Sequence, residues 1–261
     1  MLSFSVVMPV YNEAQALADG VRCVAAYFDK LRIPFELIIV ESGSTDGTGE
    51  RADELAKERP EVSVVHEGRR NGFGSGVQLG YQRAAMQWVW LITPDLPFPL
   101  ESLEEAIPLL DSYGAVLSYR VGDERSGYRR FQSFCFNLLV RLLFGLKVRC
   151  VNSAFKILPA ELVRNLKLKS LGWTIDAEVI YILQQRGVRY AELGVPICDR
   201  VVGTSKISVR TAWRVVKELW DLWRCRRQLG SSRLRLPQAV TAAGTAAVGK
   251  KQAVDVRGSS S

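Results

Sequence analysis

Three short segments, each directly after an apolar run, carry the side chains best suited to chemistry. Pro9-Val10-Tyr11-Asn12-Glu13 offers an aromatic ring that can stack on a flat heterocycle and a carboxylate that can accept its N–H groups. Glu41-Ser42-Gly43-Ser44-Thr45-Asp46-Gly47-Thr48 is a glycine-permitted turn with an acidic residue at its mouth. Thr93-Pro94-Asp95 places one carboxylate where a hard divalent cation, already bound to phosphate oxygens, would want it. A phosphate-bearing partner also follows from charge. From Arg200 to Ser261, thirteen Lys/Arg face only Glu218, Asp221 and Asp255, so this stretch holds +10 and the rest of a chain of net +8 holds −2. Within that remainder, Arg120 to Cys150 sets seven basic residues against Asp123 and Glu124. Two basic regions on a slightly acidic body fit a nucleotide, a nucleic acid or an anionic lipid surface.

These loops need strands to carry them. Ser5 to Pro9 and Phe35 to Val40 are strand-like, and between them Leu17, Val21, Val24, Phe28 and Leu31 recur at helical spacing behind Asn12, a residue fit to cap the helix. Ser44 or Thr45 then opens a second helix to about Lys57, Val62 to His66 is a third strand, Gly76 to Met86 a third helix and Trp88 to Ile92 a fourth strand. Repeated βαβ units predict a mostly parallel sheet with helices on both faces and ligands at the carboxyl ends of its strands. After a strand at Gly114 to Tyr119, Tyr128 to Leu146 reads as a helix that is bulky and apolar with Arg129, Arg130, Arg141 and Lys147 at its ends and edge. It is either a core helix or an amphipathic helix lying in a membrane interface. The same two readings hold for Thr211 to Arg227, with Trp213, Trp220 and Trp223. A domain at 1–228 with a disordered basic tail at 229–261 is expected, because the end of the chain is rich in Gly, Ser, Ala and Lys/Arg without periodicity.

The 261 residues, 48% hydrophobic and 24% charged, exclude a disordered chain and a small disulfide scaffold. No apolar run reaches the roughly 20 residues of a membrane span. No secretory signal is visible at Met1, so a cytoplasmic chain is expected. Five scattered cysteines, Cys23, Cys135, Cys150, Cys198 and Cys225, read as reduced thiols, and the lone His66 as a satisfied histidine at a strand end. Any metal must therefore sit on oxygen. The glycines Gly72, Gly74, Gly76 and Gly80 follow the third strand, whereas a dinucleotide fingerprint follows the first. There is no Gly-Lys-Ser/Thr phosphate loop and no Gly-x-Ser-x-Gly nucleophile turn.

In order and spacing, these segments resemble the family 2 glycosyltransferases of GT-A fold, most closely the dolichol- and polyprenol-phosphate sugar (mannosyl or glucosyl) transferases. The resemblance runs from about Ser3 to Trp223. It is most specific at Val6 to Glu13, at Gly43 to Thr48, and at Val195-Pro196 followed by Arg200 and Gly203-Thr204-Ser205-Lys206. It implies a Rossmann-like, mostly parallel α/β sheet with C-terminal amphipathic helices. It also implies that Pro9, Tyr11, Glu13 and Glu41 hold the base of a GDP- or UDP-linked sugar, and that Asp95 holds Mg2+ or Mn2+ with the donor diphosphate. Arg200 and Lys206 lie on a loop similar to the family's lid over that diphosphate. The loop that resembles Asp-x-Asp is Thr93-Pro94-Asp95, so a single aspartate remains. Cys150 stands where the acceptor loop commonly begins with Asp.

Arg120, with Arg129 and Ser133 four apart on one helix face, is similar to the family's acceptor-phosphate residues. A lipid phosphate is already an anion near neutral pH, so it needs cations to hold it and no general base. The expected activity is inverting transfer of one sugar to a polyprenyl phosphate by an enzyme peripheral on the cytoplasmic membrane face. The alternatives are a soluble or protein acceptor, or a catalytically impaired binding protein of the same fold. No nucleic-acid motif is present, so no nucleic acid partner is expected. Asp176 and Glu178 either favour a helix N-terminus or approach the sugar.

Overall fold

Strands covered on both faces read as unbroken apolar runs, and β1 (Phe4–Val10) is buried at every position. The computed structural model describes residues 1–122, 125–197 and 209–229, with the backbone alone at 209–214 and 227–228. Seven strands form one sheet in the order β3-β2-β1-β4-β6-β5-β7. Besides β1 these are β2 (Phe35–Glu41), β3 (Val62–His66), β4 (Trp88–Leu91), β5 (Ala115–Val121), β6 (Lys156–Pro159) and β7 (Tyr190–Pro196). All neighbours run parallel except β6, which is antiparallel to both β4 and β5. Its first residue, Lys156, therefore lies level with the end of β4 at Leu91, and beside Leu117 inside β5.

Side chains alternate across the pleat into two cores. Val6, Met8, Leu37, Ile39 and Trp90 face one side with α1 (Ala14–Leu31), α2 (Thr48–Glu58) and α4 (Ser102–Ala106). Val7, Ile38, Val40, Val89 and Leu91 face the other with α3 (Phe73–Arg83), α5 (Gly127–Phe144), α6 (Ala160–Arg164), α7 (Ile175–Gln185) and α8 (Val209–Leu229).

The bounds of the second, third and last helices differ from the sequence reading. The second helix begins at Thr48, because Gly47 takes a left-handed φ of 88° and the residues before it serve another loop. The third begins at Phe73 rather than Gly76 and ends at Arg83. Its glycines are there for close packing. A Cβ on Gly80 would collide with Val7, one on Gly74 would lie 2.7 Å from the Ser170 carbonyl oxygen, and Gly72 has a φ of 113°. Leu229, placed at the start of the tail, is instead the buried last residue of α8. The rest of that tail, 230–261, lies outside the described residues.

The helix after β5 is buried along one side only among the described residues. Only Val140 and Phe144 of α5 are fully buried, whereas Tyr128, Phe131, Phe134, Leu138, Leu139 and Leu142 are exposed, Phe131 at 63% and Leu142 at 75%. An interior helix would not leave that stripe bare. On the adjacent α8, Leu219 and Leu222 are buried while Val216 and Trp220 are exposed. Among the described residues no helix is long and apolar enough to cross a membrane.

Candidate active site at the carboxyl edge of the sheet

The first loop is held by the second. Asn12 does not cap α1. It sits at φ 54°, and its side-chain oxygen accepts the Thr45 amide at 3.0 Å. In return the Asn12 amide donates to the Ser44 hydroxyl at 3.0 Å, the Glu13 amide to the Thr48 hydroxyl at 2.9 Å and the Ala14 amide to Asp46 at 3.2 Å. The free amides that open α1 are thus capped from more than thirty residues away, in place of the local cap that Asn12 suggested. The same Asp46 accepts the Thr48 amide and hydroxyl, and the Thr48 hydroxyl foremost holds its carboxyl below the usual range.

The four residues expected to hold a base differ in how they are presented. Pro9 lies inside β1, buried, with Gly76 against its ring. Its missing N–H takes no ladder bond, since the β1–β4 pairing has already ended at Val7 and Leu91. Tyr11 is half-buried, and the Arg70 guanidinium lies over its ring at 4.1 Å from the centroid. Glu13 stands at the head of α1, where its carbonyl accepts the Ala16 and Leu17 amides. Glu41 is buried, with one oxygen on the Ser44 amide at 2.5 Å and the other 3.3 Å from His66 Nδ1. Burial acts to raise its carboxyl, and the Ser44 and His66 contacts outweigh that and hold it below the usual range. Arg70 was missed in the sequence because nothing local marks one arginine in the Arg69-Arg70 pair as the partner of a ring fifty-nine positions earlier.

Asp95 is half-buried on the loop after β4, and that loop is pressed by α1. Gly20 lies where a Cβ would run into the Pro94 carbonyl oxygen, so a glycine there lets the helix touch the loop. Among the described residues no group of three or more His, Cys, Asp or Glu converges as a metal cluster. The donor set suits a hard cation that takes one carboxylate and fills its other positions with phosphate oxygens and water.

The opposite end of the edge is basic. Arg120, near the end of β5, donates to the Ile197 carbonyl at 2.7 Å. Arg129 is exposed in the first turn of α5, which Ser126 caps by accepting the Arg129 amide. Ser133, one turn on, accepts from Arg125 at 3.0 Å, which brings a further arginine beside it. Asn137, which interrupts the apolar run, ties α5 to the neighbouring loop: it donates to the Ser133 carbonyl and accepts the Val151 amide, both at 2.7 Å. Cys150 borders this region, and burial pushes its thiol up. Cys23, Cys135, Cys150 and Cys225 are free thiols, while Cys198, Arg200 and Lys206 lie outside the described residues.

Asp176 and Glu178 are both turned inward. Asp176 pairs with Lys156 at 2.6 Å in a buried ion pair, and burial pushes its carboxyl up against the pull of that ammonium. Glu178 is fully buried and accepts the Lys169 and Ser170 amides at 2.8 to 3.0 Å. It thereby fixes the loop on which Gly72 and Gly74 rest. Trp173, beyond that loop, is exposed and stacks on Phe73 at 5.6 Å.

The sheet order, the loops at its carboxyl edge and the helix after β5 define a GT-A fold, and the chain belongs to glycosyl transferase family 2, whose profile matches residues 5–166. Among curated proteins it is similar to glycosyltransferase AglD of Haloferax volcanii, at 29% identity over 84% of this chain and 37% of that one. It is also similar to a dolichyl-phosphate beta-glucosyltransferase of Trichomonas vaginalis, at 23% identity over 78% and 65%. A third relative is the undecaprenyl-phosphate 4-deoxy-4-formamido-L-arabinose transferase of Pectobacterium atrosepticum, at 27% identity over 85% and 66%. The chain thus spans between 37% and 66% of the length of these three relatives. Among solved structures, glucosyl-3-phosphoglycerate synthase from Mycobacterium tuberculosis in complex with UDP has a TM-score of 0.65 at 22% identity, covering 86% of this chain and 80% of that one. Mannosyl-3-phosphoglycerate synthase from Rubrobacter xylanophilus has a TM-score of 0.66 at 18% identity, covering 91% and 79%. These likenesses establish the fold.

Proposed function

We propose that this chain is an inverting glycosyltransferase that moves one sugar from a nucleotide diphosphate donor to a polyprenyl phosphate, while peripheral on the cytoplasmic face of a membrane. The observation that carries the reading is α5, which presents an exposed apolar stripe on the same helix as Arg129 and Ser133. A phosphate on an apolar tail matches that pairing of cations and bare hydrophobic surface. The relatives named for dolichyl- and undecaprenyl-phosphate support it.

In this reading Tyr11, Glu13 and Glu41, with Pro9 behind them, receive the base, and Arg70 lies across the Tyr11 ring beside it. Asp95 would hold Mg2+ or Mn2+, which when bound supplies charge neutralisation of the diphosphate; the mycobacterial synthase has been solved with Mn2+ and UDP. Arg120, Arg125 and Arg129 orient the acceptor phosphate through charge-assisted bonds, with the Ser133 hydroxyl beside them. An acceptor oxygen attacks the anomeric carbon as the bond to the donor diphosphate breaks, and no proton has to be removed. Arg200 and Lys206 would neutralise the leaving nucleoside diphosphate.

The test is incubation of the purified protein with Mg2+ or Mn2+, a short polyprenyl phosphate and a pool of UDP- and GDP-sugars, with mass spectrometry of the lipid fraction. A mass of lipid phosphate plus one hexose or N-acetylhexosamine is expected. Nucleotide binding accompanied by sugar transfer to a water-soluble acceptor alone would contradict the lipid assignment, and nucleotide binding with no transfer to any acceptor would favour the impaired binding protein.

A further inference from the structure

His66 is the single histidine of the chain, and it is placed with care. It is the register partner of Glu41 across β2 and β3, at the edge where the donor loops begin. Both ring nitrogens face carboxylates: Nδ1 lies 3.3 Å from Glu41 Oε2 and Nε2 lies 2.9 Å from Asp53 Oδ1 on α2. A neutral imidazole carries one N–H and can satisfy one of these acceptors, whereas the imidazolium satisfies both. The other Glu41 oxygen accepts the Ser44 amide, and the Ser44 hydroxyl in turn accepts the Asn12 amide, next to Tyr11. A continuous chain of polar contacts therefore runs from Asp53 through His66, Glu41 and Ser44 to the loop expected to hold the base.

We propose that His66 is a positioning residue for the donor site: as an imidazolium bridging Asp53 and Glu41 it fixes the Ser44 turn, and through it the Tyr11 to Glu13 loop, so that nucleotide affinity depends on its protonation. This deepens the reading of the site given above and rests on it. The charged groups that face the ring are Asp53 from α2 and Glu41 from β2, while Gly49 packs on its Cε1 without charge. Asp53 foremost, then Glu41, raises the histidine above its ordinary value, against burial. The bridge is thus complete below the ordinary histidine range and is lost as pH rises through the raised value.

The proposal is tested on the full chain by two measurements. Proton NMR follows the ring of the sole histidine, which should titrate above an ordinary histidine and move back toward it in Asp53→Asn. Calorimetry with UDP and with GDP, each with Mg2+, should show affinity falling about fivefold between about pH 6 and pH 9, the net worth of one hydrogen bond of the bridge. In His66→Gln the affinity should be weak and level across that range. Equal pH dependence in the wild type and His66→Gln overturns the positioning role alone, as does an unshifted histidine. A wild-type protein that binds neither nucleotide at any pH overturns the donor-site reading and this proposal with it.

Discussion

The two ends of the sheet edge are built in opposite ways. At the β1–β2–β3 end nearly every polar group is bound by another loop. Asn12, Ser44, Thr45, Asp46 and Thr48 lock two loops together, and Glu41 is held between Ser44 and His66. At the β5 end one helix carries Arg129 exposed, beside a row of bare apolar side chains. The contrast is the one that the proposed donor and acceptor would each require. A rigid, water-soluble nucleotide is best met by a preorganised pocket, which limits the ordering cost of binding. A lipid phosphate delivered from a surface is met by charge at a helix edge and by apolar area that stays exposed until the surface covers it.

The strongest way to break this comparison is at Asp95, which stands between the two ends. Asp95→Ala should lower transfer on the order of 10³-fold with both ends intact, and near-wild-type rates would remove it from the reaction. Gly20→Ala tests the same loop without touching a charge. The added methyl must push the Pro94 carbonyl aside, and a displacement of about 1 Å at Asp95 is expected to cost about 10²-fold in rate. Circular dichroism should show the helices retained, and a fully active Gly20→Ala would mean that the loop yields freely. At the far end, Phe131→Asp or Leu142→Asp should weaken vesicle binding roughly tenfold, since each removes an apolar side chain of about 1.5–3 kcal/mol burial value. Because both are exposed, the unfolding free energy should change by only about 0.5 kcal/mol. A large loss of thermal stability in either would show that the stripe is covered by the protein itself.

How much of this was legible in the sequence follows the same division. The parallel sheet and its strand-end loops could be read because fully buried strands and amphipathic helices leave their period in a single short window, as in Val6 to Pro9 and Leu17 to Leu31. Asn12 was misread as a cap because the true capping groups, Asp46 and Thr48, lie in another loop, and sequence spacing carries no sign of that meeting. The antiparallel direction of β6 was illegible for a like reason, since the direction of a short buried strand is set by its neighbours. His66 looked like an ordinary strand-end residue until its two carboxylate partners came together. The apolar face of α5 was readable as a stripe, but only packing could say which side faced the core, and Val140 and Phe144 settle it.

The most direct test of the division between donor and acceptor ends is steady-state transfer by Arg129→Ala, with nucleotide sugar and polyprenyl phosphate varied in turn. Loss of one charge-assisted contact of about 1.5–3 kcal/mol should raise the KM for the lipid phosphate at least tenfold and leave the KM for the nucleotide sugar unchanged. Equal changes in both, or no change in either, would contradict the account.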